Sequence, residues 1–333
     1  MDRRALLEQW LTELFPSDRY QLAPASADAS FRRYFRVSFE NRSPGTLIAM
    51  DAPPEQEDCR PFIKVAGLLA EAGLNAPQIV AQSPEQGFLL LTDLGTQTFL
   101  HAIREDNADE LYRAATDALI QWQLASRPGV LPEYDATLLR REVELFPEWY
   151  IGRHLGYTLG AEQRSALERS FALIIASNTA QAKVYVHRDY MPRNLMISTP
   201  NPGILDFQDA VYGPIAYDVL SLFKDAFLSW EEERVLDWTI RYWEKARHAG
   251  LPVPQDFADF YRDFEWMGLQ RHLKVAGIFA RLHYRDGKSG YLEDTPRFIG
   301  YLRAVCGRYD AFTPLLRLLD DLEGAVPQHG YTF

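Results

Sequence analysis

His187-Arg188-Asp189-Tyr190-Met191-Pro192-Arg193-Asn194, followed by Asp206-Phe207, is the stretch on which the fold of this chain turns. Short apolar runs surround it: Val184-Tyr185-Val186 before, Leu195-Met196-Ile197 and Ile204-Leu205 after, separated by polar clusters. That pattern predicts small strands that hold loops. In such loops Asp189 can accept the proton of an attacking hydroxyl, while Asn194 and Asp206 offer the hard oxygen donors that a divalent cation takes. His187 is better suited to bracing the loop than to reacting. Turn capping by Asp189 and Asp206, with Asn194 placed for its backbone preference, would explain the residue types singly but not their shared spacing and strand context. A zinc site on His187, Asp189 and Asp206 lacks a second histidine at ligand spacing.

Working outward, Leu6, Leu7, Trp10, Leu11, Leu14 and Phe15 recur at helical spacing until Pro16-Ser17-Asp18. Charged residues interleave with them from Asp2 to Glu13, which fits a folded amphipathic helix rather than a signal peptide. Phe35, Val37 and Phe39 then alternate with polar residues, and residues 41–45 turn the chain into Leu47-Ile48-Ala49-Met50, a predicted hairpin. A helix is expected from Pro61 to Gly73, and a second hairpin from Gln78–Ala81 and Phe88–Leu91. Beyond Thr92-Asp93-Leu94-Gly95 the periodicities become long and helical, as over Glu110–Ala125 and Glu162–Gln181. Ser229 and Glu232 suggest a capping box for a helix ending at Gly250, and the proline-free segment 256–285 reads as another long helix. The domain boundary is expected near residue 94, between an N-terminal lobe of 1–93 and a C-terminal lobe of 94–333.

The composition is that of an ordinary globular protein: 333 residues, 47% hydrophobic and 24% charged, without repeats or low-complexity tracts. A formal charge of −11, from 35 Lys and Arg against 46 Asp and Glu, disfavours nucleic acid and anionic membrane as partners. Cys59 and Cys306 are too few for a disulfide framework. No apolar run approaches the roughly 20 residues of a membrane span. The cytoplasm is the expected compartment, and nothing in the sequence marks an obligate protein partner.

The H-x-D-x4-N pattern with a following Asp-Phe resembles the catalytic loop of kinases, in which the Asp acts as base and the Asn and second Asp hold Mg2+ on ATP. The likeness to protein kinases is partial. There is no G-x-G-x-x-G loop, Met191 stands where protein kinases carry a lysine, Gln208 replaces the glycine after Asp206-Phe207, and no A-P-E segment follows. Instead Asp206-Phe207-Gln208-Asp209-Ala210 leads through Gly213-Pro214 to Tyr217-Asp218-Val219, which is similar to the aminoglycoside phosphotransferase and choline kinase superfamily over nearly the whole chain. That resemblance implies an α+β, protein-kinase-like two-lobed fold with a small antiparallel β-sheet N-lobe and a mostly helical C-lobe. Ala29–Arg36, Met50-Asp51-Ala52-Pro53-Pro54, Leu91–Gly95 and Gln270–Val275 further resemble the anomeric amino-sugar kinases of bacterial cell-wall recycling. These use ATP and Mg2+ to phosphorylate N-acetylmuramate and N-acetylglucosamine at C1. The resemblance implies Asp189 as base, Asn194 and Asp206 as metal ligands, and Leu91, Asp93 and Leu94 in a hinge that meets adenine. A kinase of another small alcohol, such as an aminoglycoside, choline or homoserine, and a non-catalytic ATP-binding regulator are the competing readings.

The superfamily's small-lobe lysine is absent from Leu47-Ile48-Ala49-Met50-Asp51. Arginines of the Ser30–Arg36 hairpin, Arg32 and Arg33 first, are expected to supply that charge at the ATP site, since Arg32, Tyr34 and Arg36 share the face opposite Phe35 and Val37. A solvated basic strand is the plainer account. For the sugar, Glu144-Leu145-Phe146-Pro147-Glu148-Trp149-Tyr150 offers carboxylates and aromatic faces, with Glu144 and Trp149 as candidates against a core-packed helix start. Arg271, Lys274, Arg281 and Arg285 form a stripe whose Arg271 end could bind a lactyl carboxylate, if the stripe is not simply a solvated face.

Overall fold

Five strands and two helices follow one another at the start of the chain. The computed structural model describes residues 2–27 and 31–324. Helix α1 (Arg3–Leu14) is N-capped by the Asp2 carboxylate and precedes β1 (Tyr20–Ala27), β2 (Arg33–Phe39), β3 (Thr46–Asp51), α2 (Arg60–Glu71), β4 (Ile79–Ser83) and β5 (Phe88–Thr92). The strands form one antiparallel sheet in the order β1-β2-β3-β5-β4. Both expected hairpins are present. Strand β1 is an addition, and its Pro24 explains why its sequence does not read as a strand: a residue without an N–H is tolerated only at a sheet edge or bulge. Here β1 is the edge, and its register with β2 shifts between Pro24 and Ser26.

Alternation along β2 sends Phe35, Val37 and Phe39 into one buried cluster with Leu7 and Leu11 of α1. Each such side chain contributes roughly 1.5–3 kcal/mol through burial. The even-numbered residues of β2, Tyr34 and Arg36, therefore face the other way.

The chain continues through α3 (Phe99–Ala102), α4 (Ala108–Leu124), α5 (Ala136–Val143), a π-helical segment (Phe146–His154) and α6 (Ala161–Ala180). Then come β6 (Lys183–Val186), a 3-10 turn (Pro192–Asn194), β7 (Leu195–Met196), β8 (Gly203–Ile204) and β9 (Val211–Pro214). The last helices are α7 (Ala216–Phe223), α8 (Glu232–His248), α9 (Phe257–Tyr284), α10 (Thr295–Arg308) and α11 (Thr313–Glu323). Strands β6 and β9 pair, as do β7 and β8, so the short apolar runs around the opening motif are indeed strands. The capping box at α8 does not form. Glu231 is its N-cap without a side-chain bond, and the Ser229 hydroxyl instead lies 3.0 Å from that of Tyr301, a tertiary partner that local sequence does not disclose.

Two compact units result: Met1–Trp122 with Pro192–Ala210, and Gln123–Met191 with Val211–Phe333. The first contains the whole expected small lobe and adds α3, most of α4 and the β7–β8 ribbon. In the second, α9 is the central helix, burying Leu269, Leu273 and Ala276 in a cluster with Phe146, Phe171 and Leu302. Gly277 is what lets α9 approach so closely, since a Cβ there would stand 2.4 Å from the Leu145 carbonyl carbon. Cys59 and Cys306 are buried free thiols. Among the described residues, no helix is long and apolar enough to cross a membrane.

Candidate active site

In the second unit, β6 ends at Val186 and releases His187-Arg188-Asp189 into a loop. Its partner β9 leads directly into α7, whose first turn carries Asp218. That buried carboxylate accepts the backbone N–H groups of His187 at 2.6 Å and Arg188 at 3.0 Å. The clamp holds Arg188 in the left-handed region, at a φ of 76°. Such a conformation costs a residue with a Cβ on the order of 1–3 kcal/mol and persists only where surrounding bonds impose it. Burial pushes the Asp218 carboxyl up to about 7, against the pull of its two amide donors. Asp189 is half-buried, and its N–H donates to His187 Nδ1 at 3.3 Å, so His187 braces the loop as its position suggests.

Beside this loop, the buried Glu142 of α5 gathers four donors. Oε1 takes Arg188 Nη2 at 2.5 Å and Lys274 Nζ at 2.9 Å; Oε2 takes Gln270 Nε2 at 2.9 Å and the Tyr134 hydroxyl. Burial alone would raise this carboxyl, but the charges of Lys274 and Arg188 and the Tyr134 hydroxyl bring it down to about 2. Nothing in the sequence marks Glu142. Its significance lies in partners more than 40 residues away, at Arg188 and Lys274.

The first unit holds Asn194 and Asp206. The 3-10 turn feeds β7, β8 returns, and Leu205 N–H bonds the Asn194 carbonyl at 2.9 Å, so the hairpin places the two side chains together. Asn194 Nδ2 lies 3.4 Å from Asp206 Oδ2, Gln208 Nε2 donates to Asp206 Oδ1 at 2.8 Å, and Arg32 Nη2 is 4.0 Å from the same oxygen. Asp206 also has left-handed backbone, at a φ of 62°. Phe207 is buried against Phe62 of α2, ring centroids 4.7 Å apart, which anchors the segment. The residue types suit Mg2+: the Asp206 carboxylate and, with its amide turned so that the oxygen rather than Nδ2 faces the ion, Asn194, with remaining positions left to phosphate oxygens and water.

Strand parity separates the two arginines expected at the ATP site. Arg32 reaches Asp206, whereas Arg33 lies across from Asp51 and, with Arg3 of α1, clasps that fully buried carboxylate. Ser30 lies outside the described residues. Leu91 is a buried residue of β5 paired on both sides, with Ile48 and Ile79. Asp93 is engaged by Arg36, at 2.6 and 3.1 Å, and by the Gly95 N–H at 3.0 Å. Burial raises its carboxyl, but these donors outweigh that and hold it below the ordinary value. Leu94 follows, half-buried.

Of the candidate sugar residues, Glu144 is partly exposed and takes Arg140 Nε at 2.6 Å, beside Glu168. Trp149 is partly buried against the helical core that contains Phe146 and Tyr150. Arg271 is only 2% exposed, so the stripe on α9 is no solvated face at this end: Arg271 and Lys274 are buried, while Arg285 is exposed. Arg271 Nε and Nη1 make no hydrogen bond among the described residues.

A model of the APH phosphotransferase enzyme family matches residues 21–257. The chain is 54% identical to an N-acetylmuramate/N-acetylglucosamine kinase of Pseudomonas aeruginosa, over 97% of this chain and 95% of the relative. It is 49% identical to a protein of the same name from Neisseria meningitidis serogroup B, over all of both chains. Among solved structures, a choline/ethanolamine kinase family protein from Mesorhizobium loti shares the kinase-like fold, with a TM-score of 0.63 at 12% identity over 95% of this chain and 99% of that one. The chain belongs to the phosphotransferase enzyme family and is an ATP-dependent kinase of a small molecule.

Proposed function

We propose that the chain phosphorylates an amino sugar, N-acetylmuramate or N-acetylglucosamine or both, at the anomeric C1 hydroxyl. The product would be the α-1-phosphate, used for UDP-sugar synthesis in cytoplasmic recycling of peptidoglycan. The observation that carries the acceptor is identity of 54% and 49%, over nearly the full length, to relatives named as kinases of these two sugars. The anomeric position rests on the resemblance of Ala29–Arg36 and Gln270–Val275 to the anomeric kinases, and on chemistry. A hemiacetal hydroxyl is more acidic than an ordinary alcohol, so a carboxylate such as Asp189 suffices to take its proton and orient its oxygen.

In this reading Asn194 and Asp206 would hold Mg2+, which supplies neutralising charge to the ATP phosphates when bound. Arg32 stands in for the missing small-lobe lysine. The hinge at Leu91, Asp93 and Leu94 receives adenine, whereas Arg33, engaged by Asp51, is left out of the ATP site. Glu144, Trp149 and Arg271 are assigned to the sugar. The buried Arg271 guanidinium, whose Nε and Nη1 are taken up by no group among the described residues, suits an anionic or carbonyl oxygen best of the three.

The test is to incubate the protein with Mg-ATP and each sugar and to follow ADP release together with the reducing end. Anomeric transfer releases ADP and abolishes the reducing end. ADP release with the reducing end intact refutes the anomeric assignment, and no ADP with any amino sugar refutes the acceptor.

A further inference from the structure

We propose that Asn75, two residues beyond the left-handed Gly73 that ends α2, is a positioning residue for the hairpin that carries Asn194 and Asp206. The inference rests on the reading of those two side chains as Mg2+ ligands. Strands β7 and β8 are two residues each, and a hairpin so short is not stable by itself. Its placement must come from outside. On the β7 edge, the Ile197 N–H donates to the Gln97 carbonyl at 2.8 Å. Along β8, successive N–H groups point to opposite edges, so Leu205 bonds Asn194 within the hairpin while Ile204 donates outward to the Asn75 carbonyl at 2.7 Å. The Asn75 side chain reaches the turn itself. Its Nδ2 donates to Ser198 Oγ at 2.9 Å and to the Pro200 carbonyl at 2.6 Å, so one residue holds both the strand and the turn.

Burial does not fix the turn. Thr199, Pro200 and Asn201 are exposed, and the turn borders a cavity of about 340 Å3 lined by Asn75, Gln121 and Pro202 among others, where a core would otherwise support it. Polar bonds must therefore set where it lies. The consequence reaches Asp206 directly. Ile204 is anchored on Asn75 and Phe207 on Phe62, so Asp206 lies between two anchors supplied by α2 and the chain just after it. Its left-handed backbone, at a φ of 62°, persists only where its surroundings impose it. Asn194 belongs to the same ladder through its bond from Leu205. Loosening Asn75 frees the hairpin to shift, and the two ligands then lose their preorganised spacing although neither is itself altered.

A residue that only stabilises the fold changes the melting temperature but not what the metal adds to nucleotide binding, and that addition is the readout. Calorimetry gives the affinity for ADP in excess Mg2+ and in EDTA, and their ratio is the gain due to the metal. Asn75→Ala should lower this gain about 3- to 10-fold, with affinity in EDTA within about twofold, and should lower kcat about 10-fold at an unchanged KM for the sugar. Asn75→Asp keeps the size and the bond from Ile204 but turns an acceptor towards the Pro200 carbonyl. It should show the same loss, and it serves where the alanine variant does not fold. Gln121→Ala removes the bond from α4 to the Ala72 carbonyl, at the same junction but without touching the turn, and should leave gain and kcat within about twofold. An unchanged gain in the Asn75 variants, or an equal loss in Gln121→Ala, would overturn the proposal. No gain from Mg2+ in the wild-type protein refutes the metal reading instead, so the two failures are told apart.

Discussion

Replacing Arg32 and Arg33 separately by Met distinguishes two roles that adjacent residues in one hairpin would otherwise share. Arg32 Nη2 stands 4.0 Å from Asp206 Oδ1, with side-chain exposures of 10% and 32%. Two unit charges at that separation attract by about 4 kcal/mol at an effective dielectric of about 20. Partial exposure of the carboxylate reduces this to about 1–2 kcal/mol. A guanidinium at the same place facing ATP phosphates gains an attraction of the same order, so its loss should lower kcat/KM for ATP by about 5- to 30-fold. The apparent Mg2+ requirement should not rise, since the arginine's removal also takes a competing cation from Asp206. Arg33 behaves differently. It lies across from Asp51 and is half-exposed, and Arg3 still holds that carboxylate when it is lost. Arg33→Met should cost about 1 kcal/mol of stability while ATP kinetics stay within about twofold. Steady-state kinetics against ATP at several Mg2+ concentrations, with thermal melts, reads both. An unchanged KM and kcat for ATP in Arg32→Met, or equal kinetic losses in the two variants, would refute the assignment by strand parity.

Asp189→Asn should lower kcat by roughly 10² to 10⁴ while nucleotide binding, measured by calorimetry, is kept. Asp206→Ala should remove the Mg2+ dependence of nucleotide binding, and retained Mg2+-dependent turnover would contradict its role as a ligand. The Glu142 carboxyl sits at about 2 in the folded chain against an ordinary 4.5, so its stabilisation, on the order of 3 kcal/mol, is fully present above pH 4.5 and is lost as pH falls towards 2. The difference in unfolding free energy between wild type and Glu142→Gln should accordingly be constant near neutrality and shrink across that window. Gly277→Ala places a methyl against the Leu145 backbone and should cost roughly 1–3 kcal/mol or more in denaturant unfolding.

Much of the fold is legible because it rests on local periodicity. The odd positions of β2 that read as apolar are the ones that pack on α1, and the proline-free segment expected to be helical is α9. Motif spacing likewise singles out Asp189, Asn194 and Asp206 as candidates, because each loop lies between strands short enough to read directly. What escapes is set by tertiary partners. Strand β1 is obscured by Pro24, which only an edge position tolerates, and the serine expected to cap α8 bonds Tyr301 instead. Glu142 and Glu144 are two residues apart and chemically identical, yet one anchors a buried network and the other a surface pair with Arg140. Only the helix face, fixed by packing against α9, distinguishes them. Arg32 and Arg33 differ in the same manner: strand alternation separates their faces, but which face carries the carboxylate of Asp206 follows from the β7–β8 hairpin.

Among the described residues, Arg188 and Asp206 alone combine a side chain beyond Cα with a left-handed backbone, and they lie in different compact units. Glycine would satisfy either backbone without steric cost. A Cβ at such positions is tolerated where the side chain does something glycine cannot, and each of these side chains does. Asp206 contributes the carboxylate that Arg32, Asn194 and Gln208 surround. Arg188 ties its loop to Glu142 while Asp218 clamps the loop's amides. Each strained residue is imposed by bonds within its own unit, so the proposed metal ligands and the proposed base are each preorganised by local bonds.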